Sequence, residues 1–204
     1  MQAKIAIKLI DTYFMIFDSH LTLAHKYWNI CGKKGGIFVD ATCGNGKDSL
    51  YLAKKFLTTS SGKLFCIDIQ SQAIESTQNL LSKSLPTTVL DQIFYRLTCH
   101  TKIEFLPPEI DIFVYNLGYL PGGDKSLTTH SETTLLSVKK AINYLSPTGI
   151  ISIMSYPGHD KGKVERDSLL DFVSSLPYRY IVGRHQWVNR FRSPELFLIR
   201  QKTY

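Results

Sequence analysis

Long apolar runs are missing from this chain of 204 residues. No stretch approaches the roughly 20 residues that a membrane-crossing helix needs, so no membrane partner is expected. Paired cysteines are missing too. Cys31, Cys43, Cys66 and Cys99 lie far apart and make neither a C-x-x-C pair nor a zinc-ligand spacing. Reduced thiols, no metal and a cytoplasmic location are the expectation. The N-terminal stretch to Phe17 is apolar, but Lys8 and Asp11 interrupt it and no small-residue cleavage site follows. A signal peptide is therefore not expected. Negative charge is scarce as well, with 17 Asp+Glu against 24 Lys+Arg and a formal net charge of +7. The scarcity is sharpest over residues 178–204, where Arg179, Arg184, Arg190, Arg192, Arg200 and Lys202 face only Glu195. Tyr178, Tyr180, Trp187 and Phe191 interleave with those charges. That mixture suits a phosphate backbone with stacked bases, or else a pair of edge strands with solvated basic faces.

Short β-rich runs alternate with helical patterns through the rest of the chain. Leu21, Ala24, His25 and Trp28 share one helical face, which predicts a helix before the first strand, within an N-terminal helical extension over about 1–32. Strands are predicted at 36–40, 63–69, 93–98, 110–115 and 150–155, with helices at 47–56, 71–84, 132–145 and 163–176. Two closing strands at about 179–186 and 195–201 have little between them and predict an antiparallel hairpin at one edge. Runs such as Ile150-Ile151-Ser152-Ile153-Met154 imply burial on both faces, as in a parallel sheet. Length and pattern together predict one α/β domain over 1–204, doubly wound, with a mostly parallel seven-stranded sheet and a C-terminal antiparallel hairpin.

The richest segment is Asp40-Ala41-Thr42-Cys43-Gly44-Asn45-Gly46, an acidic strand end followed by a glycine turn and a helix start. Glycines let the backbone approach a ligand, and the helix start offers unpaired N–H groups. A dinucleotide site would place a third glycine where Ser49 stands. The acidic Asp40 instead fits S-adenosylmethionine, near whose amino-acid end such a carboxylate lies. Asp68 ends the second strand, 22 residues after Gly46, and is placed to take a ribose diol in either case. S-adenosylmethionine is therefore the expected cofactor, with NAD as the alternative.

Ligands lie beyond the carboxyl ends of the strands in such sheets. Those ends read Asp40, Asp68, His100, Asn116 and Tyr156. The fourth continues Asn116-Leu117-Gly118-Tyr119. Amino-methyltransferases carry Asn/Asp-Pro-Pro-aromatic at this place, where the Asn oxygen accepts from the target amine and the ring stacks on a flat base. Here Leu117 and Gly118 replace the prolines.

Taken together, DATCGNGKD, FCIDIQ, NLGYLPGGDKS, SYPGHDKGKVE and VNRFRSPELFLI resemble the "putative rRNA methylase" family, which is associated with methylation of tRNA wobble 5-aminomethyl-2-thiouridine. The blocks run from about Ala24 to Lys202. The resemblance implies a class I methyltransferase fold, S-adenosylmethionine and a tRNA substrate, with rRNA as the alternative. It implies that Asn45, Gly46 and Asp48 surround the methionine moiety, with Asp40 and Gly44 beside them. Asp68 and Gln70 would hold ribose and the adenine side, and His100 would border the adenine. Asn116, Gly118 and Tyr119 would form the methyl-acceptor site, faced by Asp124, Lys125, Tyr156 and His159. Arg184, Arg190 and Arg192 would contact RNA phosphates. The family's usual Asn-x-x-Asn-Pro-Pro is replaced by Asn189 and then Arg192-Ser193-Pro194. The other readings are a methyltransferase acting on a different amine and a non-catalytic RNA-binding protein of the same fold. A homodimer is compatible with all of them.

Overall fold

The structure is a computed structural model, and it describes residues 19–123 and 127–202. Seven strands form one mixed sheet: β1 (Ile37–Asp40), β2 (Lys63–Asp68), β3 (Ile93–Leu97), β4 (Ile110–Asn116), β5 (Leu145–Ser155), β6 (Tyr180–His185) and β7 (Glu195–Gln201). Their order is β3-β2-β1-β4-β5-β7-β6. The first five are parallel, and β7 pairs antiparallel with both β5 and β6. The predicted hairpin is present. Its second strand lies inside against β5, because Leu196 to Ile199 are buried on both faces, and β6 takes the edge.

Helices α1 (His20–Cys31), α2 (Lys47–Phe56) and α3 (Ser71–Ser82) cover one face. Helices α5 (Ser131–Ala141) and α6 (Asp160–Ser174) cover the other, and a short α4 (Thr87–Leu90) precedes β3. The two-residue period of the strands divides the core. Phe38, Ile112, Val114, Ile150, Met154, Leu196 and Leu198 face α1–α3. Val39, Phe113, Tyr115, Ile151, Ile153, Phe197 and Ile199 face α5 and α6. Each such fully buried side chain stabilises the fold by roughly 1.5–3 kcal/mol.

Several details differ from the sequence expectation. In α1, Ala24 and Trp28 are buried as predicted, but Leu21 is exposed and His20 takes the buried place, 5.2 Å from the Trp187 ring. β5 begins at Leu145 because the chain bulges: Ile110 and Ile112 pair with Leu145 and Ile150. A 3-10 turn, Ile142–Tyr144, closes what reads as the end of α5. α6 starts three residues early because His159 caps it, its Nδ1 accepting from Gly162 N at 3.1 Å. Among the described residues no helix is long and apolar enough to cross a membrane.

Candidate active site

The chain leaves β1 toward β2 on one side and returns to β4 on the other. The loops beyond β1 and β4 therefore part, and open α/β sheets bind ligands at such a reversal. A cleft of about 1050 Å³ opens there.

Its first half is built on the ends of β2 and β3. Asp68 Oδ2 accepts from Gly44 N and Oδ1 from Gln70 N, both at 3.0 Å. The carboxylate is thus clamped between the glycine turn and the start of α3. Burial raises it, and those backbone bonds hold the rise back. Ile69 lies beside it, 68% exposed yet lining the cleft. His100 is buried, and that burial pushes it down to about 4, so the ring is neutral at physiological pH.

The glycine turn makes the middle. Gly44 has φ +50 and Gly46 φ +77, a region that favours glycine. A Cβ on Gly44 would meet nothing closer than 3.5 Å, which leaves that face open to a ligand. A Cβ on Gly46 would sit 2.9 Å from Thr77 Cα. Gly46 therefore serves packing of α2 against α3, the task a dinucleotide fingerprint gives its third glycine.

The second half gathers around Asn116. Its backbone N–H donates to Thr42 Oγ1 at 2.7 Å, and its amide Nδ2 donates to Asp48 Oδ2 at 3.3 Å. A carboxylate only accepts, so this bond fixes which way the amide faces. No described residue donates to Asn116 Oδ1. Tyr156 stands alongside, its hydroxyl raised by burial and by Asp48, with a hydrogen bond from Asn116 offsetting part of the rise. Gly118, at φ +107, donates its N–H to Thr129 Oγ1 at 2.8 Å. Thr129 and Thr134 both donate to the buried carboxylate of Glu165 on α6, which ties the loop down.

The family described as "Putative rRNA methylase" matches residues 64–201 of this chain. The chain belongs to this methylase family. A chloroplastic tRNA (mnm5s2U34)-methyltransferase of Arabidopsis thaliana is 38% identical over 189 residues, 89% of this chain and 69% of that one. A crystal structure of a "putative rRNA-methylase" from Clostridium thermocellum superposes with a TM-score of 0.85 at 32% identity, covering 91% of this chain and 98% of that one. A "putative methyltransferase" from Streptococcus mutans in complex with SAH, the product of S-adenosylmethionine, gives 0.78 at 28% identity over 91% and 99%. The fold is that of the class I S-adenosylmethionine-dependent methyltransferases.

The methylase cleft fits that cofactor. A clamped carboxylate beside an exposed apolar side chain and a neutral imidazole suits a ribose diol and an uncharged base, and the open Gly44 leaves room for the rest. Asp68 carries a direct expectation. Asp68→Ala should weaken S-adenosylmethionine binding by about tenfold or more, since a hydrogen bond to a charged group contributes roughly 1.5–3 kcal/mol. Calorimetry on the folded variant measures this, and an unchanged affinity would take Asp68 out of the site.

Most of the residues expected from sequence line this one cleft: Gly44, Asn45, Asp48, Asp68, Gln70, His100, Asn116, Gly118, Tyr119, Tyr156, His159 and Arg192. Asp124 and Lys125 lie outside the described residues. Two expectations, Asp40 and Gly46, need correction. Asp40 does not line the cleft. Sheet pairing continues past it, with Ala41 N donating to Val114 O, so the turn folds over it and it is 1% exposed. It accepts from the Ser49 hydroxyl at 2.6 Å, and burial, then Asp48, push it up to about 7. Gly46 likewise faces Thr77 and not the cleft. Arg184 is held by Glu195, donating from Nε at 3.0 Å and lying 2.9 Å away at Nη2. Sequence reading missed Thr42, Ile69, Thr129, Glu165 and His25. Of these, only Thr42, a hydroxyl inside the glycine turn, had a local signal.

Proposed function

We propose that the protein transfers a methyl group from S-adenosylmethionine to the exocyclic amine of 5-aminomethyl-2-thiouridine at the tRNA wobble position. The observation that carries this is the Asn116 amide at the sheet reversal, with its nitrogen engaged by Asp48 and its oxygen left to accept. The name of the Arabidopsis relative supports the substrate. When bound, S-adenosylmethionine supplies an electrophilic methyl group on a sulfonium. The chain's own part is then positioning. Asn116 Oδ1 accepts an N–H of the amine and aims the nitrogen lone pair. Tyr119, 41% exposed at the rim, packs on the uracil ring. Such alignment lowers a barrier by up to roughly 7–11 kcal/mol in ideal cases.

The test is mass spectrometry of wobble nucleosides from cells with and without the gene. Loss of the methylated nucleoside with build-up of its aminomethyl precursor is expected, and unchanged nucleosides would overturn the reading.

The β6–β7 turn forms the RNA contact. Arg192 reaches the cleft wall, Arg190 is exposed beside it, and Phe191 is 77% exposed between them. RNA affinity should fall steeply with salt, and Arg190→Ala with Arg192→Ala should flatten that slope by about 0.7–0.9 per lost phosphate contact. An identical slope in the double variant would return the patch to a solvated basic face.

A further inference from the structure

The amine in the proposed reaction arrives with one proton too many. An aliphatic ammonium has no lone pair, so its proton must leave before methyl transfer, and near neutrality a group in the cleft speeds that loss. The acceptor half holds few candidates. The neutral Asn116 amide is not a base. His159 Nδ1 is engaged as the cap of α6. The Tyr156 hydroxyl is raised by burial and by Asp48, so it keeps its own proton. Asp48 remains.

We infer that Asp48 is the base that receives the proton of the substrate amine, and that His25 is the residue that positions it. The inference rests on the aminomethyl group being the target.

Asp48 stands in the first turn of α2 and is 8% exposed. A carboxylate there ordinarily serves its own helix, but this helix has no side-chain cap. The two oxygens point elsewhere. Oδ2 lies 3.3 Å from Asn116 Nδ2, on the same amide whose Oδ1 is offered to the amine. Oδ1 lies 3.3 Å from His25 Nε2. The His25 ring is fixed by stacking on Tyr51 at 3.7 Å and by Trp28 at 4.7 Å, and its side chain is 22% exposed. One oxygen thus serves the acceptor site, while the other is held by a histidine that reaches solvent. The titratable groups facing Asp48 are His25 on α1, Asp40 on β1 and Tyr156 beyond β5. In the step itself an N–H bond of the ammonium breaks and its electron pair stays on nitrogen as the attacking lone pair. The proton joins a carboxylate oxygen of Asp48 and passes to solvent as product leaves.

Asp48→Asn in the full chain tests this with two readouts. Without cofactor, wild type should prefer an anticodon stem–loop RNA bearing the aminomethyl group over the same RNA lacking it, and Asp48→Asn should lose that preference. With cofactor, the variant should turn over about 10²-fold or more slowly near neutrality, a gap that closes as rising pH deprotonates the amine in solution. Its S-adenosylmethionine affinity should stay within about threefold. His25→Gln, which keeps an N–H toward Asp48, should retain most of the turnover that His25→Phe loses. Retained RNA preference with a wild-type pH profile in Asp48→Asn would overturn the inference. So would a tenfold loss of cofactor affinity with that profile intact, which would return Asp48 to the methionine end. A wild type that methylates neither RNA would instead defeat the function proposed above.

Discussion

Asn116→Ala should leave S-adenosylmethionine affinity nearly intact and lower turnover by about 10²-fold or more. The asymmetry follows from the site. The cofactor half is built on Asp68, Ile69 and His100 at the ends of β2 and β3, with β1 between them and β4. None of those three bonds to Asn116. The backbone at 116 is secured without its side chain, through Asn116 N to Thr42 Oγ1 and Leu117 N to Met154 O. The variant should therefore fold, losing roughly 1.5–3 kcal/mol with the hydrogen bond to the Asp48 carboxylate. What disappears is the oxygen that orients the amine, and a misplacement near 1 Å can cost about 10²-fold. Because that oxygen acts on the reacting amine, kcat should fall while cofactor binding holds. Asn116→Asp should land between the two. It keeps an acceptor oxygen but puts a second carboxylate beside Asp48, and such a pair holds a shared proton. Single-turnover methyl transfer onto tRNA with and without the aminomethyl group measures all three proteins. Full activity in Asn116→Ala would eliminate the acceptor role, and equal methylation of both tRNAs would eliminate the aminomethyl group as target.

Most of the fold was legible because its signals are local. Strand-length apolar runs, proline and glycine stops and a helical period each act within a dozen residues. The cofactor half was legible for the same reason: Gly44, Asp68 and His100 sit where strand ends put them. The rest of the site depends on contacts across the chain. His25 meets Asp48 over 23 residues, and Glu165 meets Thr129 over 36. No spacing rule reports such pairs. Asp40 shows the opposite failure. As the last residue of β1 it reads as a ligand carboxylate, but whether a strand end faces the cleft or lies under the turn is set by β4 pairing past it. The cap of α6 was hidden because histidine is an uncommon cap.

The basic tail calls for a different experiment. Glu195 is the lone carboxylate of that segment, 1% exposed, and it lies between two arginines. Arg184 bonds its Oε2, and Arg166 on α6 bonds its Oε1. This triad locks β6, β7 and α6 at the edge of the sheet. Glu195→Gln keeps the shape and removes the charge, leaving Arg184 facing a neutral amide while Arg166 keeps Asp167. Breaking a buried pair from one side costs about 3–5 kcal/mol, and the partial exposure of Arg166 (15%) and Arg184 (30%) places the expectation at about 2–4 kcal/mol. At roughly 2–4 °C per kcal/mol for a domain of this size, Tm should fall by about 5–15 °C. The same geometry gives a distinct expectation for Arg184 in the proposed RNA contact. Its guanidinium is committed to Glu195, so Arg184→Ala should lower Tm yet leave the salt slope of RNA binding where it was. Arg190→Ala and Arg192→Ala should do the reverse. Thermal unfolding and salt titration of the four variants decide the matter. A flattened slope with an unchanged Tm in Arg184→Ala would place that residue on the RNA, and an unshifted Tm in Glu195→Gln would deny the triad its structural role.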